Sequence, residues 1–278
     1  MIADTQMPRV FREVIDEQVK LYSQVRCMTV RNTIPATPNI PLDNQLNWLE
    51  IPDVICVYVD MVSSTKLSAS LHPKSTAGVY QLFTGTAVRL FHEFDAPYID
   101  VRGDGAFALF NSDQCYRALA AAITYKTFAQ KVFVPEVQKK TQMELGAHIG
   151  IDQSTVLVRR IGFRSVFSRT DRQNEVWAGR PINMAAKLGS ITRPGELLAS
   201  DRFYKRITSD VARKSCGCSG GEYTGDKVAL WTEVDLETDE EYSEHRELFD
   251  FSKMYKLKSL WCPTHGQEYC ADMLALDG

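Results

Sequence analysis

Two short apolar runs each lead to an aspartate, VICVYVD closing on Asp60 and YIDVRGD closing on Asp104, and this pair restricts the fold more than any other feature. The first run, Val54 to Asp60, is nearly continuous hydrophobe and then breaks into Ser63, Ser64 and Thr65, the pattern of a buried strand entering a helix cap. The second continues into GAFALF and reads as a hairpin whose turn is Arg102-Gly103-Asp104-Gly105. Glycine on both sides of Asp104 allows the torsions of a tight turn and lets a phosphate or metal come close. The two carboxylates then face one open mouth, which is what a two-metal phosphoryl-transfer site requires.

Around this pair the chain reads as three segments. Residues 1–50 carry an amphipathic helix, with Val10, Phe11, Val14, Ile15, Val19, Tyr22 and Val25 at helical spacing, and an extended connector punctuated by Pro35, Pro38 and Pro41. Residues 51–234 alternate strands and helices. The spacing predicts helices at about 75–94, 113–132 and 181–189, a hairpin at 98–110, and strands at 143–151, 156–161 and 196–199. A last hairpin ends at Val234. Because a hairpin interrupts any parallel pattern, an α+β sheet with helices on one face fits better than a Rossmann arrangement. Residues 235–278 begin with an acidic run to Asp250, read as a solvated linker or helix, and end in a cysteine-containing tail that regains hydrophobes and is expected to pack back. With 278 residues and 44% hydrophobic content the chain can bury a core of its own. The net charge of −3 argues against a general nucleic-acid coat. Seven cysteines, an odd number, and the lack of a long apolar run lead us to expect a reduced, soluble, cytoplasmic protein without membrane contact.

Asp60 and Asp104 could bridge two Mg2+ or Mn2+ ions, with the Met61 carbonyl as a further hard ligand. Ser63, Ser64 and Thr65 would offer helix amides to a polyphosphate. On a helix opening near Pro181, Asn183 and Lys187 share a face, where an amide and a cation could hold a ribose and neutralise charge on a transferring phosphorus. Taken singly, the aspartates and serines read more readily as a turn and a cap, and the Asn183–Lys187 face serves as well as a solvated one.

Together they resemble the catalytic domain of the class III nucleotidyl cyclases. The strand end Asp60-Met-Val-Ser-Ser-Thr65, the hairpin Gly103-Asp104 and the helix Gly179-Arg-Pro-Ile-Asn183-Met-Ala-Ala-Lys187 follow that family's motifs in order and spacing, over roughly Asp53 to Val234. The resemblance implies a ferredoxin-like βαββαβ domain, with an N-terminal helix and a C-terminal extension here. It also implies attack of a 3′-hydroxyl on the α-phosphorus of a nucleoside triphosphate, giving a 3′,5′-cyclic monophosphate and diphosphate. Asp60 and Asp104 would bind the two metals, Asn183 would orient the ribose, and position 187 would stabilise the transition state. The family's homodimeric architecture implies two shared active sites, with the aspartates from one protomer and the asparagine helix from the other. Lys227 matches a phosphate-contacting lysine.

Departures from the family's pattern bear on the substrate. Lysine at position 187 replaces the usual arginine and offers a point charge instead of a planar fork. At the base-reading positions stand Asp100 and Val176. An ionised Asp100 only accepts hydrogen bonds, which leaves the N3–H of uracil, the amino group of cytosine and the N1–H edge of guanine open. Tyr58, on the strand face of Asp60, either shortens the pocket toward a one-ring base or is a core tyrosine. The N-terminal helix, the VYVDMVSST strand, the RGDGAFALF hairpin and the ending LKSLWCPTHGQEYC are similar to the pyrimidine cyclases of bacterial Pycsar antiphage systems. That likeness implies cyclic UMP or cyclic CMP, with UTP preferred over CTP, made on phage infection and sensed by a separate effector. A non-catalytic nucleotide-binding dimer and a polymerase-palm transferase are the competing readings. Two clusters stay outside this scheme. Cys216-Gly-Cys218 with Cys262-Pro-Thr-His265 could form a tetrahedral zinc site that pins the tail, but widely separated pairs, one of atypical spacing, favour plain reduced thiols. The basic run Arg159, Arg160, Arg164, Arg169 and Arg172 reads as a solvated loop more readily than as a phosphate clamp.

Overall fold

The run that ends on Asp60 is the middle of a 16-residue strand, β2 (Asn47–Val62). The computed structural model describes residues 7–163, 173–219 and 222–277, and these divide into two compact units. One comprises residues up to Ile51 together with Leu157–Ala178; the other comprises Pro52–Val156 and Gly179 onward.

In the first unit, helix α1 (Arg9–Tyr22) is followed by β1 (Cys27–Val30), which pairs in parallel with Asn47–Glu50 of β2. The proline-rich connector is tied down by backbone acceptors. Arg160 Nε donates to the Ile40 carbonyl at 3.0 Å, and Arg159 donates to the carbonyls of Gln45 and Leu42 while its guanidinium lies 5.8 Å from the Trp48 ring. These two arginines are therefore neither a solvated loop nor a phosphate clamp: prolines leave carbonyls without helical or ladder partners, and the guanidinium forks supply them. Arg164, Arg169 and Arg172 lie outside the described residues. Its last strand is β6 (Gln173–Gly179), which pairs with β5 (Gly146–Gly162).

The second unit supplies α2 (Ser64–Ser70), α3 (Pro73–Glu93), β3 (Tyr98–Arg102), β4 (Gly105–Phe110), α4 (Cys115–Phe128), α5 (Val134–Thr141) and β5 (Gly146–Gly162). It continues through α6 (Arg180–Ser190), β7 (Leu197–Ser200), the short helices α7 (Asp201–Tyr204) and α8 (Asp210–Arg213), and a two-stranded ribbon of β8 (Cys218–Ser219) and β9 (Glu222–Tyr223). Strands β10 (Trp231–Asp235) and β11 (Lys253–Leu257) and helix α9 (Gly266–Leu274) complete it. The sheet order is β10-β11-β7-β5-β2-β4-β3. Its β5-β2-β4-β3 portion, with α3 and α4 as the crossovers, is the α+β, ferredoxin-like βαββαβ arrangement expected.

Alternation along the strands sends Ile55, Val57, Val59 and Met61 of β2 and Ala106, Ala108 and Phe110 of β4 into one core. Helix α3 meets them with Val79, Phe83, Ala87 and Phe91, four residues apart along one stripe. Phe83 packs edge-on against Tyr125 of α4 at 5.4 Å between centroids. Each fully buried side chain of this size contributes about 1.5–3 kcal/mol.

Three local readings change and one holds. The two strands expected at 143–151 and 156–161 are one continuous strand, β5, because Asp152, Gln153 and Ser154 lie in the ladder and not in a turn. Asp152 is fully buried and held by a two-pronged pair with Arg202, at 2.8 and 2.7 Å. The helix expected at 113–132 ends as α4 at Phe128 and continues through a π turn, Ala129–Phe133, into α5; Pro135 lacks the N–H that a regular helix would need there. The acidic run Asp235–Asp250 is neither linker nor continuous helix. It joins β10 to β11 and buries Tyr242 and Phe249 against α6 and β7 residues Met184, Leu188 and Leu198. The tail does pack back: β11 lies between β10 and β7, and the Asp277 carboxylate accepts the N–H groups of Tyr116 and Arg117 at 3.0 and 2.6 Å, capping α4. Among the described residues no helix is long and apolar enough to cross a membrane.

Candidate active site

Strand pairing settles which residues share the sheet face opposite α3 and α4. Tyr58 of β2, Phe107 of β4 and Asp100 of β3 stand in one row, and Asp60, Gly105 and Arg102 in the next. In an antiparallel ladder, directly opposed side chains point to the same side. Tyr58, Asp60, Asp100 and Arg102 therefore share one face, while their neighbours Val57, Val59 and Met61 feed the core.

Asp104 follows Gly103 in the two-residue turn between β3 and β4, and Gly103 takes the left-handed conformation (φ +64°) that such a turn requires. Gly105, directly opposite Asp60, is glycine for a steric reason. A β-carbon there would stand 2.6 Å from Asp60 Oδ1 and 3.1 Å from the Tyr58 hydroxyl. That space holds the carboxylate. Burial, and then the negative charge of Asp104, push the Asp60 carboxyl up to about 6, against the hydrogen bonds it accepts from the Met61 N–H and the Tyr58 hydroxyl. The same surroundings push the Tyr58 phenol up to about 12. Tyr58 thus spends its hydroxyl on Asp60, and its ring lies 3.2 Å from where a β-carbon on Gly189 would be. Two half-buried carboxylates whose charges act on one another, with a backbone carbonyl one residue on, form a hard-oxygen donor set suited to Mg2+ or Mn2+.

After Asp60 the chain turns at Ser63, whose φ of +64° puts it in the left-handed region; its side chain caps no amide of α2. The cap expected from Ser63, Ser64 and Thr65 is therefore absent at Ser63, because a left-handed N-cap turns the side chain away from the helix amides. Ser64 and Thr65 form the first turn of α2, only seven residues long.

On β3, Asp100 is not alone. Arg102 Nε donates to Asp100 Oδ2 at 2.8 Å, with the arginine two-thirds exposed and the aspartate largely covered. Sequence reasoning missed Arg102, although its i,i+2 spacing from Asp100 on a strand already puts both on one face.

Helix α6 sits on the face of Tyr58. A β-carbon on Gly150 of β5 would collide with the Ala185 carbonyl, and one on Gly189 would touch Tyr58, so helix and sheet backbones meet directly. Gly179 enters the helix with the same lack of room, 2.7 Å from the Thr155 carbonyl. Asn183 is exposed on α6. One turn on, Lys187 Nζ donates to the Leu248 carbonyl at 2.8 Å. Val176 is half-buried on β6 in the first unit. Lys227 precedes β10, and its ammonium lies 5.8 Å from the Tyr269 ring centre, beside the C-terminal helix. Cys216, Cys218, Cys262 and His265, 44 residues apart between the two pairs' inner members in sequence, converge in space, with Cys218 Sγ 3.2 Å from His265 Nδ1.

No protein-family model matches the chain. It is 36% identical over 231 residues to a uridylate cyclase from Micromonospora echinofusca, covering 82% of this chain and 71% of the relative. It is 34% identical over 242 residues to a uridylate cyclase from Propioniciclava tarda, covering 85% and 73%. Among solved structures it is similar to the adenylyl cyclase CyaB from P. aeruginosa, with a TM-score of 0.56 at 15% identity over 76% of this chain and 96% of that one. The guanylyl cyclase Cya2 gives a TM-score of 0.56 at 17% identity over 77% and 95%. At these identities the structural likeness is one of fold.

Proposed function

We propose that this chain, which belongs to the family of the uridylate cyclases among the class III nucleotidyl cyclases, converts UTP to 3′,5′-cyclic UMP and diphosphate. The observation that carries the reading is the apposed pair Asp60 and Asp104 at the open end of β2, with Gly105 clearing the space for the carboxylate. Asp60, Asp104 and the Met61 carbonyl would hold two divalent cations, Mg2+ or Mn2+. When bound, those ions supply Lewis-acid stabilisation of the attacking 3′-oxygen and of the phosphate charge. Tyr58 keeps the Asp60 carboxylate oriented by donating its hydroxyl proton to it. Ser64 and Thr65, at the start of α2, lie along the path of the triphosphate.

Asn183 orients the ribose, and Lys187 meets the charge developing at phosphorus after exchanging the Leu248 carbonyl for a phosphate oxygen. Each active site combines the aspartates of one protomer with the α6 residues of its partner, so the active form is a homodimer. At the base, the Asp100–Arg102 pair presents an acceptor beside a donor. It fits the N3–H and a carbonyl of uracil, and equally the amino group and N3 of cytosine. The names of the relatives turn the choice to UTP. The product would act as a cytoplasmic messenger in antiphage defence, read by a separate effector.

The test is direct. Purified protein with Mn2+ is offered each of the four ribonucleoside triphosphates, and products are identified by mass. Cyclic UMP from UTP, with little or no cyclic product from the others, is expected. Dominant cyclic CMP would move the substrate to CTP, and no cyclic product from any triphosphate would remove the reading.

A further inference from the structure

The side chains of Cys216, Cys218, Cys262 and His265 each bring one ligand atom to a common point, all four atoms within 4.8 Å of one another. We propose that these residues bind a single zinc ion in a tetrahedral Cys3His site that clamps the C-terminal segment to the body of the fold. The donor set is the one structural zinc takes, and a tetrahedron with zinc–sulfur bonds of about 2.3 Å has edges of roughly 3.8 Å, a size that falls inside the 4.8 Å limit within which the four atoms lie.

Both halves of the site are built for it. Cys216 and Cys218 are separated by a single residue; on an extended strand that spacing holds the two side chains on one face but roughly 7 Å apart, so the backbone between them must bend to bring the sulfurs together. Gly217 provides that bend with φ +90°, and its carbonyl accepts from the Thr224 N–H, the Gly225 N–H and the Thr224 hydroxyl at 2.8, 3.1 and 2.9 Å. A β-carbon at Gly217 would stand 2.9 Å from the Gly225 carbonyl carbon, so no other residue fits. On the other side, Cys262 and His265 frame a turn closed by the Gly266 N–H on the Cys262 carbonyl at 2.8 Å. Within it the backbone N–H groups of Thr264 and His265 are directed at the Cys262 sulfur, as suits a thiolate ligand. This turn is anchored to α4 through Trp261, whose indole N–H donates to Thr124 Oγ1 at 2.8 Å and whose backbone N–H donates to Thr127 Oγ1 at 3.2 Å.

Three sulfurs and an imidazole nitrogen within 4.8 Å of one another fit a metal better than three packed thiols beside a ring. Cys216, Cys218 and Cys262 line a cavity of about 320 Å³, which gives an ion a way in. Cys270, one turn further along α9, lies outside the cluster and packs against the core. The ion would tie the segment before β10 to the start of α9, a crossing already marked by the Tyr269 hydroxyl on the Ser215 carbonyl at 3.2 Å.

The test uses the full chain purified under reducing conditions without chelator. Elemental mass spectrometry should find one zinc per chain in wild type and in Cys270→Ala, and essentially none in Cys262→Ser or His265→Ala. Because ligand variants can fail for want of folding, the wild type carries a second readout. Cys216, Cys218 and Cys262 should be alkylated at least ~10-fold more slowly than exposed Cys27, and a strong chelator should abolish that protection. Replacing zinc by Co2+ should give the intense visible absorption of a tetrahedral thiolate site. Folded wild type that holds no zinc even when zinc is offered, stoichiometric iron in its place, a disulfide among these cysteines, or alkylation as fast as at Cys27 would each overturn the proposal.

Discussion

At the scale of single residues, the proposed chemistry centres on Asp60. Its carboxyl is raised to about 6 in the folded chain, so below the ordinary carboxylate range the group adds stability, and that contribution is lost as pH rises through about 6. The metal-free protein should accordingly gain more in thermal midpoint from Mn2+ at pH 8 than at pH 5, since a divalent cation binds the ionised form. Turnover should fall as pH drops below about 6. Tyr58 sets where that happens, because its hydroxyl bond lowers the Asp60 value. Tyr58→Phe should move the acid limb of the pH–rate profile upward and cost more activity at pH 6 than at pH 8. A uniform loss at both values would mean that the ring, and not the hydroxyl, matters. Arg102 is the residue-scale surprise: its place in the hairpin turn hid it, although strand alternation from Asp100 puts both on one face.

At the scale of elements, neighbours far along the chain make the local structure. Helix α4 opens at Cys115 after Gln114, which caps nothing on α4; its first amides are taken by Asp277, over 160 residues away in sequence. Asp277→Ala should therefore destabilise the fold by about 1 kcal/mol, read as a shift in the denaturant midpoint without a change in slope. Local reading put the helix in roughly the right place but could not see its cap. It also split β5, since Asp152-Gln153-Ser154 has the composition of a turn; the Arg202 guanidinium is what allows an aspartate in mid-strand. Helix α6 was legible from Asn183 and Lys187 at i,i+4. That Lys187 rests on the Leu248 carbonyl was not, because the partner is a backbone oxygen in the connection between β10 and β11.

For the whole molecule, the decisive prediction concerns assembly. Asp60→Ala and Asn183→Ala, each inactive alone, should recover roughly a quarter of wild-type activity when mixed, the share expected if half the dimers are mixed and each has one intact site. Proven heterodimers without recovery would show that a site is made within one chain. The sequence by itself determined the strand-helix-hairpin-helix run from Val54 to Phe128, the α+β class and the placing of Asp60 and Asp104 at the ends of neighbouring strands, because these follow from hydrophobic period, turn chemistry and spacing, all local quantities. It also held every ligand of the Cys216, Cys218, Cys262 and His265 cluster, yet weighed against a site there because the pairs are far apart along the chain. Only the tertiary structure decided that they meet, that Arg102 answers Asp100, and that Tyr58 turns its hydroxyl to Asp60. Each of these depends on distance through space, which the folded sheet sets and the linear chain does not.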